Sequence, residues 1–89
     1  MKAVITVTGK DTVGIIAEVA GVCAKHSVNI LDITQSVLDE YFAMIMLTEI
    51  DKLNVGFAEF ANELSELGRS KNLDIHAMHE DIFNTMHHI

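Results

Sequence analysis

An α+β fold, a four-stranded antiparallel sheet with two helices on one face, is predicted from three observations in this 89-residue sequence. Hydrophobic spacing switches between a period of two and a period of 3.6 in the order strand, helix, strand, strand, helix, strand. A glycine-containing segment, Gly9-Lys10-Asp11-Thr12-Val13-Gly14-Ile15-Ile16, joins the first strand to the first helix with almost no spare loop. Asp39-Glu40 separates two β-prone runs and reads as a hairpin turn.

Residues 2–8 are rich in β-branched side chains and suit a strand. The spacing predicts a helix from Val13 to about Lys25, with Ile16, Val19, Ala20 and Cys23 as its apolar stripe. Asp11 or Thr12 is placed to accept bonds from its first free N–H groups. Gly14 gains nothing from helix propensity, so either a tight turn or the close approach of a ligand or another chain segment accounts for it. After the turn 26–28, a second strand runs from Asn29 to about Leu38, and a third occupies 41–49. Phe57, Phe60, Ala61, Leu64 and Leu67 recur at helical spacing with Glu59, Glu63 and Glu66 turned away; Gly68 reads as a terminator, with a frayed extension to Lys71 as the alternative. Leu73, Ile75 and Ala77 alternate with Asp74, His76 and Met78 as a fourth strand.

This order is the ferredoxin-like βαββαβ sandwich, assigned to residues 1–81, with a short C-terminal tail at 82–89. The third strand, Phe42-Ala43-Met44-Ile45-Met46-Leu47, leaves neither face polar, whereas a sheet with helices on one side only should alternate. The tail, a ligand or a second subunit is expected to cover part of the other face. A chain this short buries only roughly 63% of its extended surface, so oligomerisation would help stability.

Thirteen acidic residues oppose six basic ones, a net charge of −7 that repels a phosphate backbone and excludes direct nucleic-acid binding. No apolar run approaches the ~18 residues that span a bilayer, and the start of the chain lacks a secretory pattern, so a cytoplasmic protein is expected. Cys23 is alone, which excludes an intrachain disulfide or a Cys-rich metal site, and its place on an apolar stripe reads as a buried inert thiol.

The segment from Gly9 to Ala20, followed by His26-Ser27-Val28-Asn29-Ile30-Leu31-Asp32-Ile33 and Gln35, resembles the ACT domain, a small regulatory module. The match is closest to the short free-standing ACT proteins of bacteria and archaea, which end like His79-Glu80-Asp81-Ile82-Phe83 with a short Met/His-rich tail. The resemblance implies a homodimer that binds an amino acid or similar metabolite at the interface and regulates an associated metabolic enzyme. It also implies contacts from the loop after strand one and the start of strand two: Asp11, Gly14 and Asn29, with Lys10, Thr12, Ile15 and Ile30 as neighbours. The residue chemistry agrees, since Asp11 can pair with an ammonium, Asn29 can both donate and accept, and helix-start N–H groups can hold a carboxylate. Simple capping by Asp11 and Asn29 is the competing account. A dimerisation or protein-docking module without a small ligand is the alternative function.

Two tempting constellations carry less. His76, His79, His87 and His88 are numerous, but His76 and His79 fall on opposite faces of a strand, and no metal or other cofactor is predicted. An acylphosphatase-like enzyme shares the topology but needs an anion-binding arginine after strand one, and Arg69 lies at the far end of helix two. Neither Ser27 nor Ser36 has a base assignable by spacing, and no catalytic residue is assigned.

Overall fold

A computed structural model describes residues 1–10 and 13–86. The elements are β1 (Lys2–Gly9), α1 (Ile15–Lys25), β2 (Asn29–Leu38), β3 (Tyr41–Glu49), α2 (Phe57–Ser70), β4 (Asp74–His79) and α3 (Glu80–Met86). The four strands form one antiparallel sheet in the order β2-β3-β1-β4. This is the ferredoxin-like arrangement predicted from periodicity.

Alternation in the strands decides which face is dry. Ala3, Ile5 and Val7 of β1, Phe42, Met44 and Met46 of β3 and Ile75 of β4 point toward the helices and are buried. Ile15, Val19 and Cys23 of α1 and Phe60 and Leu64 of α2 meet them. Thr48 is fully buried on the same face and stays satisfied because its hydroxyl donates to the Ala3 carbonyl at 2.8 Å. No helix among the described residues is long and apolar enough to cross a membrane.

Several local expectations are corrected. Helix α1 starts at Ile15, not Val13, and its innermost stripe is Ile15, Val19 and Cys23, with Ile16 38% exposed. The helix is preceded by Gly14 at φ 76, a left-handed conformation that costs an L side chain and costs glycine nothing. That dihedral accounts for the glycine, because an added Cβ would meet only Glu18 Oε1 at an ordinary 3.8 Å. Of the two ends expected for helix α2, Gly68 and Lys71, the structure takes the later one. The helix runs on to Ser70, and Gly68 is buried where β4 begins.

Residues 80–86 are helical. Helix α3 follows β4 without a loop and rests on β1 and β4, with Ile82 and Met86 exposed. On the sheet face away from the helices, Ile45 is 42% exposed and Tyr41, further along the same side of the strand, is exposed as well, so the described part of the tail leaves strand three's outer side open at these positions. In β2 a bulge at Leu31 lets Ile30 pair with Thr48 and Ile33 with Met46, so both isoleucines turn to the helix-bearing face.

Candidate functional site

Sheet register separates the residues predicted to share a ligand. Gly9 pairs with Phe42 at one end of β1, whereas Lys2 pairs with Glu49, and Glu49 with Asn29, at the other end. Seven residue steps of strand, roughly 24 Å, lie between these ends. Lys10 and Gly14 therefore stand at one end of the sheet and Asn29 and Ile30 at the opposite end of the same chain. Asp11 and Thr12 lie outside the described residues.

At the first end, the Lys10 ammonium is 3.6 Å from Glu40 and 5.2 Å from the centre of the Tyr41 ring. Gly14 precedes a helix whose first turn carries Glu18. Ile15 is buried in the core, so its side chain faces away from any ligand in the loop. Concave surface gathers here as well. A cleft of about 490 Å³ is lined by Gly9, Lys10, Tyr41, Lys71 and Asn72, and a neighbouring one of about 580 Å³ continues past Thr8 to Arg69, Asp74 and His76. The cations on this rim are already engaged: Lys71 binds Glu18 at 2.8 Å and Arg69 binds Glu66 at 2.7 Å.

At the second end, Asn29 is exposed at the start of an edge strand and Ile30 packs partly against the core. The edge strand β2 exposes two apolar side chains on its helix-bearing side, with Gln35 between them. Ile33 and Val37, partners of the buried Met46 and Phe42, face the helix-bearing side, yet Ile33 is 36% and Val37 70% exposed. With Ile16 of α1 on the same side of the sheet, they form uncovered hydrophobic surface along β2.

A side-chain cluster that the spacing did not reveal sits between the helices. His26, the residue closing α1, is 5% exposed. Its Nδ1 is 2.9 Å from Asn54 Oδ1 and its Nε2 2.7 Å from Glu63 Oε1, while Lys25 donates to Glu63 Oε2 at 2.9 Å. The bond to Glu63, with that to Asn54 second, raises the His26 pKa above its ordinary value. The bond from His26, with that from Lys25 second, holds Glu63 below the ordinary carboxylate range. Glu63 is thus not turned away from the fold, as its spacing suggested. The helical wheel places it at the edge of the apolar stripe, and only the position of His26 on another element makes that edge an interior site.

Cys23 is inert by environment, since burial pushes its thiol up to about 11. His76 is exposed and His79 stacks on Phe57 with ring centres 4.2 Å apart, on the opposite face. Among the described residues no group of three His, Cys, Asp or Glu side chains is placed to hold a metal ion.

The ACT domain family model matches residues 2–78. A UPF0237 protein of Clostridium perfringens is 48% identical over 89 residues, covering all of both chains. A UPF0237 protein of the archaeon Methanocaldococcus jannaschii is 42% identical over 88 residues, covering 99% of this chain and 98% of its own. Among solved structures, an ACT domain protein from Streptococcus pneumoniae superposes with a TM-score of 0.79 at 43% identity, covering 93% of each chain. The fold alone is shared with the regulatory subunit of aspartate kinase from Thermus thermophilus, with a TM-score of 0.64 at 20% identity, covering 86% of this chain and 50% of that one. Full-length sequence similarity, the strand order β2-β3-β1-β4 and the two helices on one face converge on one assignment: the chain belongs to the ACT domain family.

Proposed function

We propose that this chain is a regulatory module, without catalytic activity of its own, that binds an amino acid or similar small metabolite between two copies of itself. One copy supplies the strand-one loop and the start of α1, with Asp11 and Gly14 as contacts and Lys10, Thr12 and the Ile15 backbone beside them. The other supplies Asn29, with Ile30 as its neighbour. The reading is carried by the register, which keeps Lys10 and Gly14 at the end of one chain's sheet opposite Asn29 and Ile30. Antiparallel pairing of two β2 edges about a two-fold axis would lay Asn29 of one copy beside Leu38 of the other. That is the end of the sheet where the strand-one loop emerges.

The β2 edge supports this geometry, because pairing would cover Ile33 and Val37 and satisfy the strand's open backbone groups. The ligand chemistry follows from the donors and acceptors. Asp11 would hold an ammonium, Asn29 would bond a carboxylate or an amine, and the free N–H groups of α1 would favour the carboxylate. The T. thermophilus fold neighbour is the regulatory subunit of a kinase, and a metabolic enzyme is the partner proposed here.

Complementation between defective copies tests the composite site. Calorimetric titration of a panel of amino acids is run on ligand-stripped wild type, Asp11→Ala, Asn29→Ala and a refolded mixture of the two variants. Each variant alone is expected to lose binding, and the mixture to regain it, because each mixed dimer rebuilds one intact site. Binding by neither variant and no recovery on mixing would put both residues within one copy's site. If wild type binds no amino acid at millimolar concentration, the docking-module reading replaces this one.

A further inference from the structure

We propose that His26 is a charged imidazolium, donating from both ring nitrogens, that staples the end of α1 to α2 and to the 51–56 segment, and that losing its proton opens this joint. The hydrogen-bond geometry requires the charge. Asn54 Nδ2 donates to the Lys25 carbonyl oxygen at 3.0 Å, and since a carbonyl can only accept, the amide's oxygen is the atom facing His26 Nδ1. Nδ1 must then carry a hydrogen. On the other side Nε2 meets a carboxylate oxygen at 2.7 Å, and the Lys25 ammonium on the second oxygen keeps that carboxylate ionised. Nε2 must carry a hydrogen as well. Two acceptors flanking one ring leave no place for the lone pair of a neutral imidazole.

The groups acting on the ring come from each element around it. From α1 the charged group is Lys25, and from α2 it is Glu63, with Phe60 set edge-on at a centroid distance of 5.9 Å. From the 51–56 segment it is the uncharged Asn54, whose N–H also donates to the His26 carbonyl at 3.3 Å. Asp51 of that segment is engaged by the Met1 ammonium instead. The staple sits at the root of β2. Immediately after His26, Ser27 takes φ 59 and the Val28 N–H returns to the Cys23 carbonyl at 2.8 Å, so the joint sets how the chain leaves α1 and enters the edge strand at Asn29.

The sign follows from the direction of each shift. His26 is raised, so its stabilisation is fully present below the unfolded histidine value of ~6.5 and is lost as pH rises through the folded value. Glu63 is lowered, so its share is present above the ordinary glutamate value and is lost only as pH falls through its folded value. The joint is closed between these limits and opens on the alkaline side when His26 becomes neutral. A neutral ring would then turn a lone pair toward an acceptor in a desolvated site.

Long-range proton–nitrogen NMR on the full-length, ¹⁵N-labelled chain reads both ring nitrogens directly. His26 is expected to show two protonated nitrogens at neutral pH and to titrate above the histidines of the same chain unfolded in urea. Amide exchange at Val28 and Asn54, corrected for base catalysis, should accelerate over the same pH range. A neutral His26 tautomer at pH 7, or a midpoint at or below the unfolded one, overturns the proposal. Glu63→Gln should lower the midpoint; should that variant fail to fold, Lys25→Met, changed at an exposed position, should raise it by removing a neighbouring positive charge. A midpoint indifferent to the substitution that folds also overturns it.

Discussion

The carbonyl oxygen of Leu73 lies 2.7 Å from the point where a Cβ on Gly68 would stand, and the Leu73 N–H donates to the Gly68 carbonyl at 2.8 Å. The start of β4 is thus laid directly on the last turn of α2, backbone against backbone. Even a methyl group would have to push the two elements apart. Gly68→Ala is expected to destabilise the chain by about 1–3 kcal/mol, since the nearest obstructing atom, the Leu73 carbonyl oxygen, is main chain and cannot rotate away, and the buried Ile75 side chain stands behind it with Cγ1 at 2.9 Å. Urea unfolding followed by circular dichroism measures this. An unchanged midpoint would mean that β4 is not seated on the helix in this way.

Phe60 is fully buried, touching the His26 ring edge-on and the Phe57 ring at 6.3 Å. Truncation to alanine should cost ~3–5 kcal/mol through lost burial and the cavity left behind. That is a large share of the ~5–15 kcal/mol available to a typical domain, so partial unfolding at room temperature is expected. A loss below ~1 kcal/mol would contradict the burial.

The thiol of Cys23 combines burial with a pKa of about 11, and the thiolate is the reacting form. In native protein at pH 8, modification by an aromatic disulfide reagent should be slow and should follow the unfolding rate. In urea it should become fast. Rapid labelling of the folded chain would show that the helix-facing core opens locally.

The exposed Ile33 and Val37 on the edge strand β2 lead to a prediction about assembly. Wild-type protein should sediment as a dimer or larger at micromolar concentration, and Ile33→Lys should shift it toward monomer while leaving the circular dichroism spectrum intact. A charged side chain at this half-exposed position would have to be desolvated in an edge-to-edge pair. If both proteins sediment alike, the β2 edge is not the contact, and the open outer face around Tyr41 and Ile45 becomes the candidate.

Element type and order were legible in the sequence because they follow from local periodicity. Alternation of Leu73, Ile75 and Ala77 with Asp74, His76 and Met78 and the 3.6-residue recurrence from Phe57 to Leu67 need no distant partner to be read. The same holds for Gly14 as a special backbone position and for the family, which is carried by a contiguous run of residues. What the sequence could not decide depends on contacts between residues far apart along the chain. Gly68 looked like a helix stop because glycine has the same local signature whether it ends a helix or admits a neighbouring strand; only the return of Leu73 separates the two. Glu63 looked solvent-facing until His26, 37 residues earlier, was brought against it. The resemblance groups Asn29 with the strand-one loop without saying whether one copy or two supply them. A helix carries the chain back along the sheet, however, so the residues at its two ends stand at opposite ends of the strands it covers.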